Sequence, residues 1–348
     1  MREGCTIQHQ FNSYRGHNQG RSHQQTARVF AKLMMEGKVR AALQLITEDN
    51  NGGPLRLDDQ NAPDSPETVR EVFLKKHPPG NPPMRSAIVV PDTPITEPHH
   101  VIFDKIDGDL IRSTALRTEG AAGPSGLDST ARRRMCTSFK SASTDLCDAL
   151  ATMARRICST YVDPCGLTAF VACHLIALDK CPGVRPIGIG EVARRIIGIA
   201  IITTISDDIQ EATGPLQTCA GHLSRCEAAV HAMHQVFESP DADGVLLVDA
   251  SNAFNCLNRQ TALLNIKQLC PTLSKTLINT YRENIQLFID GETILSQEGT
   301  TQGDPLAMAM YAVAVTPLIH RLKEENTQQV WYVDDATAGG KLTHIRKW

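Results

Sequence analysis

The feature that most constrains the fold of this chain is a pair of adjacent carboxylates, Asp334 and Asp335, within residues 328–340. Apolar, β-prone residues precede the pair, and small residues and two glycines follow it. This pattern predicts a β-hairpin with acid at its tip. Two carboxylates about 4 Å apart repel each other by roughly 4 kcal/mol at an effective dielectric constant near 20. A solvated turn can accommodate such a pair, because Asp favours turns, and so can a bound divalent metal ion.

A second carboxylate follows another predicted strand. Residues 244–248 form an uninterrupted run, Gly-Val-Leu-Leu-Val, and Asp249 comes next. Such a run predicts a strand buried on both faces. If this strand and the one before Asp334 lie centrally in one antiparallel sheet, their ends bring the two carboxylates together. Because strand side chains alternate between faces, we expect Asp335 to point away from Asp334 and to be an auxiliary group.

Two converging carboxylates suit phosphoryl transfer assisted by two metal ions. One ion activates an attacking oxygen, and the other neutralises the leaving pyrophosphate. Positive charge for a triphosphate is available from Arg185, which precedes a proline in a short extended run, and from Arg194 and Arg195 near the start of a predicted helix. Gly303 follows Gln302 and allows the backbone to come close to a base or a sugar.

The sequence between the two acids predicts a hairpin and a long helix. Asp290-Gly291 separates two short β-prone runs and supplies the positive φ that a type I′ turn needs. Residues 306–322 form an apolar helical stretch, with Pro305 in its first turn and Asp304 as its cap. The connection between the two strands is therefore expected to be mostly folded.

Charge and cysteine content restrict the setting of the protein. The net charge of −3 gives no global nucleic-acid signature, so a site for a polyanion has to be local. Eleven scattered cysteines, an odd number, favour reduced thiols in an intracellular protein of the cytoplasm or nucleus. The longest aliphatic run, residues 196–205, is too short to span a bilayer, which predicts no membrane association.

Five short motifs occur in one order along the chain. They are residues 123–128 (GPSGLD), 185–187 (RPI), 246–254 (LLVDASNAF), 302–306 (QGDPL) and 332–335 (YVDD). In this order they resemble the GPDG-like box, the RPI box, the first catalytic motif, the QGDPL box and the YxDD box of reverse transcriptases from non-long-terminal-repeat retrotransposons. Each motif alone is weak, whereas the ordered set is highly specific and covers about residues 120–338.

The resemblance implies an α+β fold, a right-hand polymerase with fingers and palm. Asp249 and Asp334 would bind two magnesium ions, for which manganese is a possible substitute, together with Asp335 and the carbonyl of Ala250. Phe254 matches the steric-gate position, where a bulky ring crowds a ribose 2′-OH and selects deoxynucleotides. The activity implied is RNA-directed DNA polymerisation, with an RNA template, a DNA primer and dNTPs as partners.

Other site residues follow from the same resemblance. Gln302 and Gly303 would lie along the template and the incoming base pair. Arg185 would contact the triphosphate. The family often carries a lysine just after the RPI strand, where this chain offers Arg194 and Arg195 for the same contact.

The composition and helical periodicity of the N-terminal part, together with the fingers and palm that the resemblance implies, divide the chain into four regions. We expect a disordered N-terminus over 1–23, a helical N-terminal extension over 24–90, a fingers-like region over 91–215 and a palm over 216–348. The sequence stops thirteen residues after Asp335, so we expect a palm that is incomplete at its C-terminus, truncated after the YxDD motif, and no thumb.

Two other interpretations stay open. The chain can be a catalytically inactive retroelement remnant that acts as an RNA-binding or protein-binding module. It can also be an RNA-directed RNA polymerase that shares the palm, which the aromatic ring of Phe254 disfavours.

Overall fold

The computed structural model describes residues 23–35, 54–62, 65–90, 94, 96–180, 183–219 and 225–348. The structure is mixed α+β, about 51% helical with two small sheets, and this confirms the predicted α+β class. The disorder predicted for the N-terminus lies outside the described residues, apart from His23, which begins a helix.

The α-helices, labelled in chain order, are α1 His23–Met35, α2 Val69–Lys76, α3 Gly108–Arg117, α4 Ser129–Thr137, α5 Ser141–Ser159, α6 Thr168–Val171, α7 Val192–Thr204, α8 Ser206–Thr213, α9 Arg225–Glu238, α10 Ala253–Cys256, α11 Arg259–Leu269, α12 Pro271–Tyr281, α13 Ala307–Arg321 and α14 Leu342–Ile345. Short 3₁₀ helices cover Arg85–Ala87, His100–Lys105 and Pro164–Gly166. The strands are β1 Pro54–Leu55, β2 Cys173–Asp179, β3 Val184–Gly190, β4 Gly244–Val248, β5 Ile285–Ile289, β6 Glu292–Ser296, β7 Thr327–Tyr332 and β8 Asp335–Gly340.

The chain divides into two compact units. One takes its residues from Met1–Phe73, Leu175–Ile187 and Phe288–Thr293, and the other from Leu74–His174, Gly188–Leu287 and Ile294–Trp348. No described helix is long and apolar enough to cross a membrane.

A five-stranded sheet has the order β1-β2-β5-β6, with β3 paired to β2. The turn that joins β5 to β6 is the predicted one. Asp290 has φ 48° and Gly291 has φ 82°, so both central residues of the turn are left-handed. This is the requirement of a type I′ turn, and the predicted hairpin is confirmed.

The second sheet is antiparallel and has the order β4-β8-β7. Its central strand, β8, consists mainly of small residues, and α9 packs close to it. A Cβ added at Gly339 would lie 2.6 Å from Cγ1 of Val236 in α9. The small residues that follow the acidic pair in the sequence therefore let a helix approach the centre of the sheet.

A hydrophobic cluster joins the inner face of this sheet to α13. Its buried members are Ala253, Tyr311, Val315, Ile319, Trp331, Val333 and Ala336. Full burial of a large apolar side chain contributes about 1.5–3 kcal/mol, so the cluster anchors the β7–β8 hairpin firmly to the helix.

The prediction that β4 is buried on both faces is wrong. Leu246, Leu247 and Val248 keep 42%, 75% and 42% of their surface exposed. The cause is position, because β4 lies at the end of the strand order and only β8 pairs with it among the described strands. An uninterrupted apolar run gives a strand, but it does not place that strand in the middle of a sheet.

Candidate active site

Three aspartates lie at one end of the β4-β8-β7 sheet. Val248, the last residue of β4, pairs with Ala336, and Asp249 follows it. On the other side of β8, Asp335 pairs with Tyr332 at the end of β7. The register therefore brings Asp249, Asp334 and Asp335 to the same sheet end. Asp249 follows the edge strand β4, and Asp334 and Asp335 belong to the β7–β8 hairpin. The aspartates therefore meet without the two central strands considered in the sequence.

The loop of the β7–β8 hairpin has only two residues, Val333 and Asp334. Val333 has φ 58°, in the left-handed region that β-branched residues rarely adopt. Such a conformation costs about 1–3 kcal/mol and persists only where the surroundings enforce it. Asp334 is partly buried at the tip, whereas Asp335 is exposed at the start of β8.

Gln217 holds this turn in place. Its side chain is completely buried, and its Nε2 donates to the carbonyl oxygen of Val333 over 3.0 Å. Its Oε1 accepts from the backbone N–H of Val333 over 2.8 Å. One amide thus binds both backbone groups of the left-handed residue. No sequence pattern points to Gln217, because its partner Val333 lies 116 positions further along the chain.

Phe254 lies on the short helix α10, five residues after Asp249. Its ring packs against Tyr311 of α13, with centroids 5.1 Å apart and the planes tilted by 31°. Burial, and then the nearby Asp334 carboxylate, raise the pKa of Tyr311 to about 12. Phe254, Tyr311 and Asp334 therefore form one neighbourhood, in which an aromatic pair borders the acidic hairpin tip.

The loop before α13 runs alongside this aromatic pair. The N–H of Thr300 donates to the carbonyl of Phe254 over 2.6 Å, and the N–H of Gly188 donates to the carbonyl of Gln302 over 2.7 Å. Gly303 has φ 104°, which glycine adopts without strain. The backbone of Gln302 thus bonds to Gly188 of β3, and Gly303 follows it with a positive φ.

Arg194 is not available for a triphosphate. Its guanidinium is buried, forms an ion pair with Asp304 and donates to the carbonyl of Val171 over 2.6 Å. Burial lowers the pKa of Arg194, but the charges around it, chiefly Asp304, raise it by more, so the net pKa is raised. Asp304 also accepts from the hydroxyl of Tyr281 over 2.6 Å. We therefore correct the predicted substrate contact of Arg194 to a structural role.

Asp304 does not act only as the predicted helix cap. One carboxylate oxygen accepts from the N–H of Leu306 over 3.0 Å, at the start of α13, while the other binds Arg194 and Tyr281. The carboxylate thus joins α7, α12 and the beginning of α13.

Arg195 is partly buried and also bonds to the protein's own backbone. It donates to the carbonyl of Glu119 over 2.8 Å and to that of Ala121, and partial burial lowers its pKa. Glu191, one turn earlier, accepts from the N–H of Ser125 over 2.5 Å and from its hydroxyl over 2.7 Å. The GPSGLD segment is therefore fastened to the start of α7. The predicted substrate contact of Arg195 stays a prediction.

Arg185 is exposed on β3 between buried Val184 and Pro186. This is the placement predicted from the neighbouring proline, a charge held out from a strand. Of the three predicted arginines, Arg185 is exposed, Arg195 is partly buried and Arg194 is buried.

The aspartates do not form a ready-made metal centre. Across the described part of the chain, no three His, Cys, Asp or Glu side chains come together in a group that could hold a metal ion. The donor chemistry of Asp249, Asp334 and Asp335 suits a hard divalent cation, but their arrangement does not present them as one ligand set.

The sequence matches no protein-family model, and no curated protein matches it.

Proposed function

We propose that this chain is a reverse transcriptase domain of the non-long-terminal-repeat retrotransposon type, with the β4-β8-β7 sheet as the palm of a right-hand polymerase. The proposed reaction transfers a nucleotide from a dNTP to the 3′-OH of a DNA primer on an RNA template. One observation carries the proposal. The acid after β4 and the acidic pair of the β7–β8 hairpin, which come from two separate motifs, share one sheet end.

Each residue at this sheet end has a proposed task. Asp249 and Asp334 would hold magnesium, or manganese in its place, with Asp335 and the Ala250 carbonyl as auxiliary ligands. When bound, such ions activate the primer oxygen and neutralise the leaving pyrophosphate. The chain itself supplies negative charge at a fixed sheet end. Ala250 packs against the hydrophobic cluster behind that end, so its carbonyl belongs to an anchored segment.

Phe254 has the proposed task of selecting the sugar. Its ring is partly buried and supported by Tyr311, so it cannot easily move aside for a 2′-OH. Gln302 and Gly303, which follow Thr300 in the loop that bonds to the backbone of Phe254, would face the template and the incoming base pair. Arg185 remains the proposed contact for the triphosphate.

A second function is favoured by a specific observation. Two of the three arginines expected to bind the triphosphate, Arg194 and Arg195, bond to the protein itself. A non-catalytic retroelement remnant that binds RNA or a protein does not need these arginines for a triphosphate. This module is the alternative against which the polymerase is tested.

The deciding experiment is primer extension. The purified chain is supplied with an RNA template, a labelled DNA primer, dNTPs and magnesium, and RNA binding is followed in parallel by fluorescence anisotropy. We expect extension by the unaltered chain and a loss of about 10²-fold or more in Asp334→Asn, because the substitution removes a charged ligand. Asp241→Asn removes an exposed carboxylate outside the sheet end and serves as the control.

The outcomes separate the two functions. Extension that depends on Asp334 but not on Asp241 supports the polymerase. Retained RNA binding without extension by the unaltered chain supports the non-catalytic module.

A further inference from the structure

We propose that Gln217 is a positioning residue for Asp334, and that it acts through the backbone of Val333 rather than through contact with substrate. The role in catalysis rests on the proposed polymerase function. The geometry on which it depends can be tested separately.

The two hydrogen bonds of Gln217 fix both peptide groups that flank the Cα of Val333. The N–H of Val333 belongs to the peptide that joins it to Tyr332, and the carbonyl belongs to the peptide that joins it to Asp334. With both peptide planes held, the φ and ψ angles of Val333 are set, and so is the direction in which the chain enters Asp334.

Gln217 is itself held by its neighbours. The N–H of Trp331 donates to the carbonyl of Leu216 over 2.8 Å, and the N–H of Thr218 donates to the carbonyl of Trp331 over 2.8 Å. The Thr218 hydroxyl donates to the same carbonyl over 2.9 Å. These bonds make a short parallel bridge between Gln217 and Trp331, so the amide is presented from a segment tied to β7.

The turn needs this support because Val333 is poorly suited to its conformation. A β-branched residue disfavours the left-handed region, and its side chain is also packed in the hydrophobic cluster. Without the amide, the turn can relax by rotating its peptide groups, and Asp334 moves with them. A misplacement of about 1 Å at a reacting centre can cost about 10²-fold in rate.

Glutamine is chemically suited to the task. A primary amide donates and accepts at once, and the two atoms can bind an N–H and a carbonyl of one residue. Methionine has a similar size and makes neither bond, so Gln217→Met removes the restraint with little change in volume.

The first experiment measures the turn without reference to activity. Amide hydrogen exchange at Val333 is compared between the unaltered chain, Gln217→Met and Gln329→Met. Gln329 is a matched control, a second buried glutamine, on β7, whose side chain bonds Ile319, Trp331 and Trp348. We expect exchange at Val333 to rise by about tenfold or more in Gln217→Met alone, after correction for global stability. Unchanged protection of Val333 overturns the proposal.

The second experiment asks whether the turn matters for the reaction. We expect Gln217→Met to lower kcat of primer extension by about tenfold or more, with KM for dNTP changed less than about twofold, while Gln329→Met of equal stability keeps kcat. Equal losses of kcat in the two variants would mean a general structural role and would overturn the positioning role.

A change at position 333 tests the link between the two residues. Val333→Gly accepts a positive φ without strain, whereas Val333→Ala removes similar packing and does not. We expect Gln217→Met to cost less kcat in the Gly background than in the Ala background, and equal costs contradict the proposal. If the unaltered chain does not polymerise, the proposed function fails and the catalytic role fails with it. The exchange data then still decide whether Gln217 holds the turn.

Discussion

Arg194 and Asp304 form an ion pair inside the protein, with only 4% and 1% of their side chains exposed. The pair joins α7 to the loop that precedes α13, and Tyr281 completes it by a hydrogen bond to the same carboxylate. Both residues belong to segments that the motif resemblance predicts to contact the nucleotide or the template. Because the ion pair is buried, both residues contribute to the free energy of unfolding. Stability measurements therefore test the structure around the site directly.

Replacement of Arg194 by methionine is expected to destabilise the protein by about 3–5 kcal/mol, because it leaves the buried Asp304 carboxylate without its positive counter-charge. The measurement is urea unfolding followed by circular dichroism. Arg185→Met, at an exposed position, is the control and should change stability by less than about 0.5 kcal/mol. A double variant with Asp304→Leu should recover part of the loss. Similar small effects of Arg194→Met and Arg185→Met would show that the pair is not buried as described.

The packing of the GPSGLD segment against α7 predicts how a substitution at Gly123 changes the free energy of unfolding. A Cβ added at Gly123 would lie 2.7 Å from the Cα and N of Glu191, and backbone cannot move aside cheaply. Gly123→Ala is therefore expected to cost about 1–3 kcal/mol in urea unfolding. Gly166 has no heavy atom within 4 Å of such a Cβ, so Gly166→Ala should be close to neutral. If both variants unfold alike, the segment does not pack on the start of α7.

The raised pKa of Tyr311 predicts how the stability of the protein changes at alkaline pH. Its pKa of about 12 lies above the value near 10 of an unfolded tyrosine, so the folded state retains the proton longer. The stabilisation is complete below pH 10 and is lost as the pH rises from 10 to 12, with a total of about 2.7 kcal/mol. Tyr311→Phe should therefore lose less stability than the unaltered chain between pH 8 and pH 11. Parallel profiles in urea unfolding would contradict the buried placement of this hydroxyl.

Sugar selection by Phe254 is testable in the proposed reaction. Phe254→Ala removes the ring that would crowd a 2′-OH, and we expect the ratio of kcat/KM for dNTP over rNTP to fall by about tenfold or more. Tyr311→Phe keeps a supporting ring at 5.1 Å and should leave the ratio nearly unchanged. An unaltered ratio in Phe254→Ala refutes the gate, whether or not the overall rate changes.

Local patterns in the sequence predicted local structure well. Asp290-Gly291 gave the hairpin turn between β5 and β6, with both residues left-handed. The stretch around Asp334 gave a hairpin with acid in its loop. These elements depend on residues close in sequence, whose turn chemistry and alternation can be read directly.

Contacts between residues far apart in the sequence could not be predicted from local patterns. Gln217 lies in a turn segment with no distinguishing pattern, and its partner Val333 is far along the chain. Arg194 was predicted to contact the triphosphate, because nothing next to it in the sequence reveals that Asp304 will be buried against it. Leu247 was predicted to be buried, because an apolar run indicates a strand but does not show where that strand lies in the sheet. It is exposed in the structure. In each case the outcome depends on which segments meet in three dimensions.

The exposed edge strand β4 has a consequence for handling the protein. Among the described strands only β8 pairs with β4, so the backbone groups along the other edge of β4 have no strand partner in that part of the chain. The exposed apolar side chains of Leu246, Leu247 and Val248 lie beside them. Such an edge is a template for pairing with a second strand, including the same strand of another molecule. Self-association should therefore rise with protein concentration, and the substitution Leu247→Lys, at the most exposed of these positions, is the natural way to keep preparations dispersed.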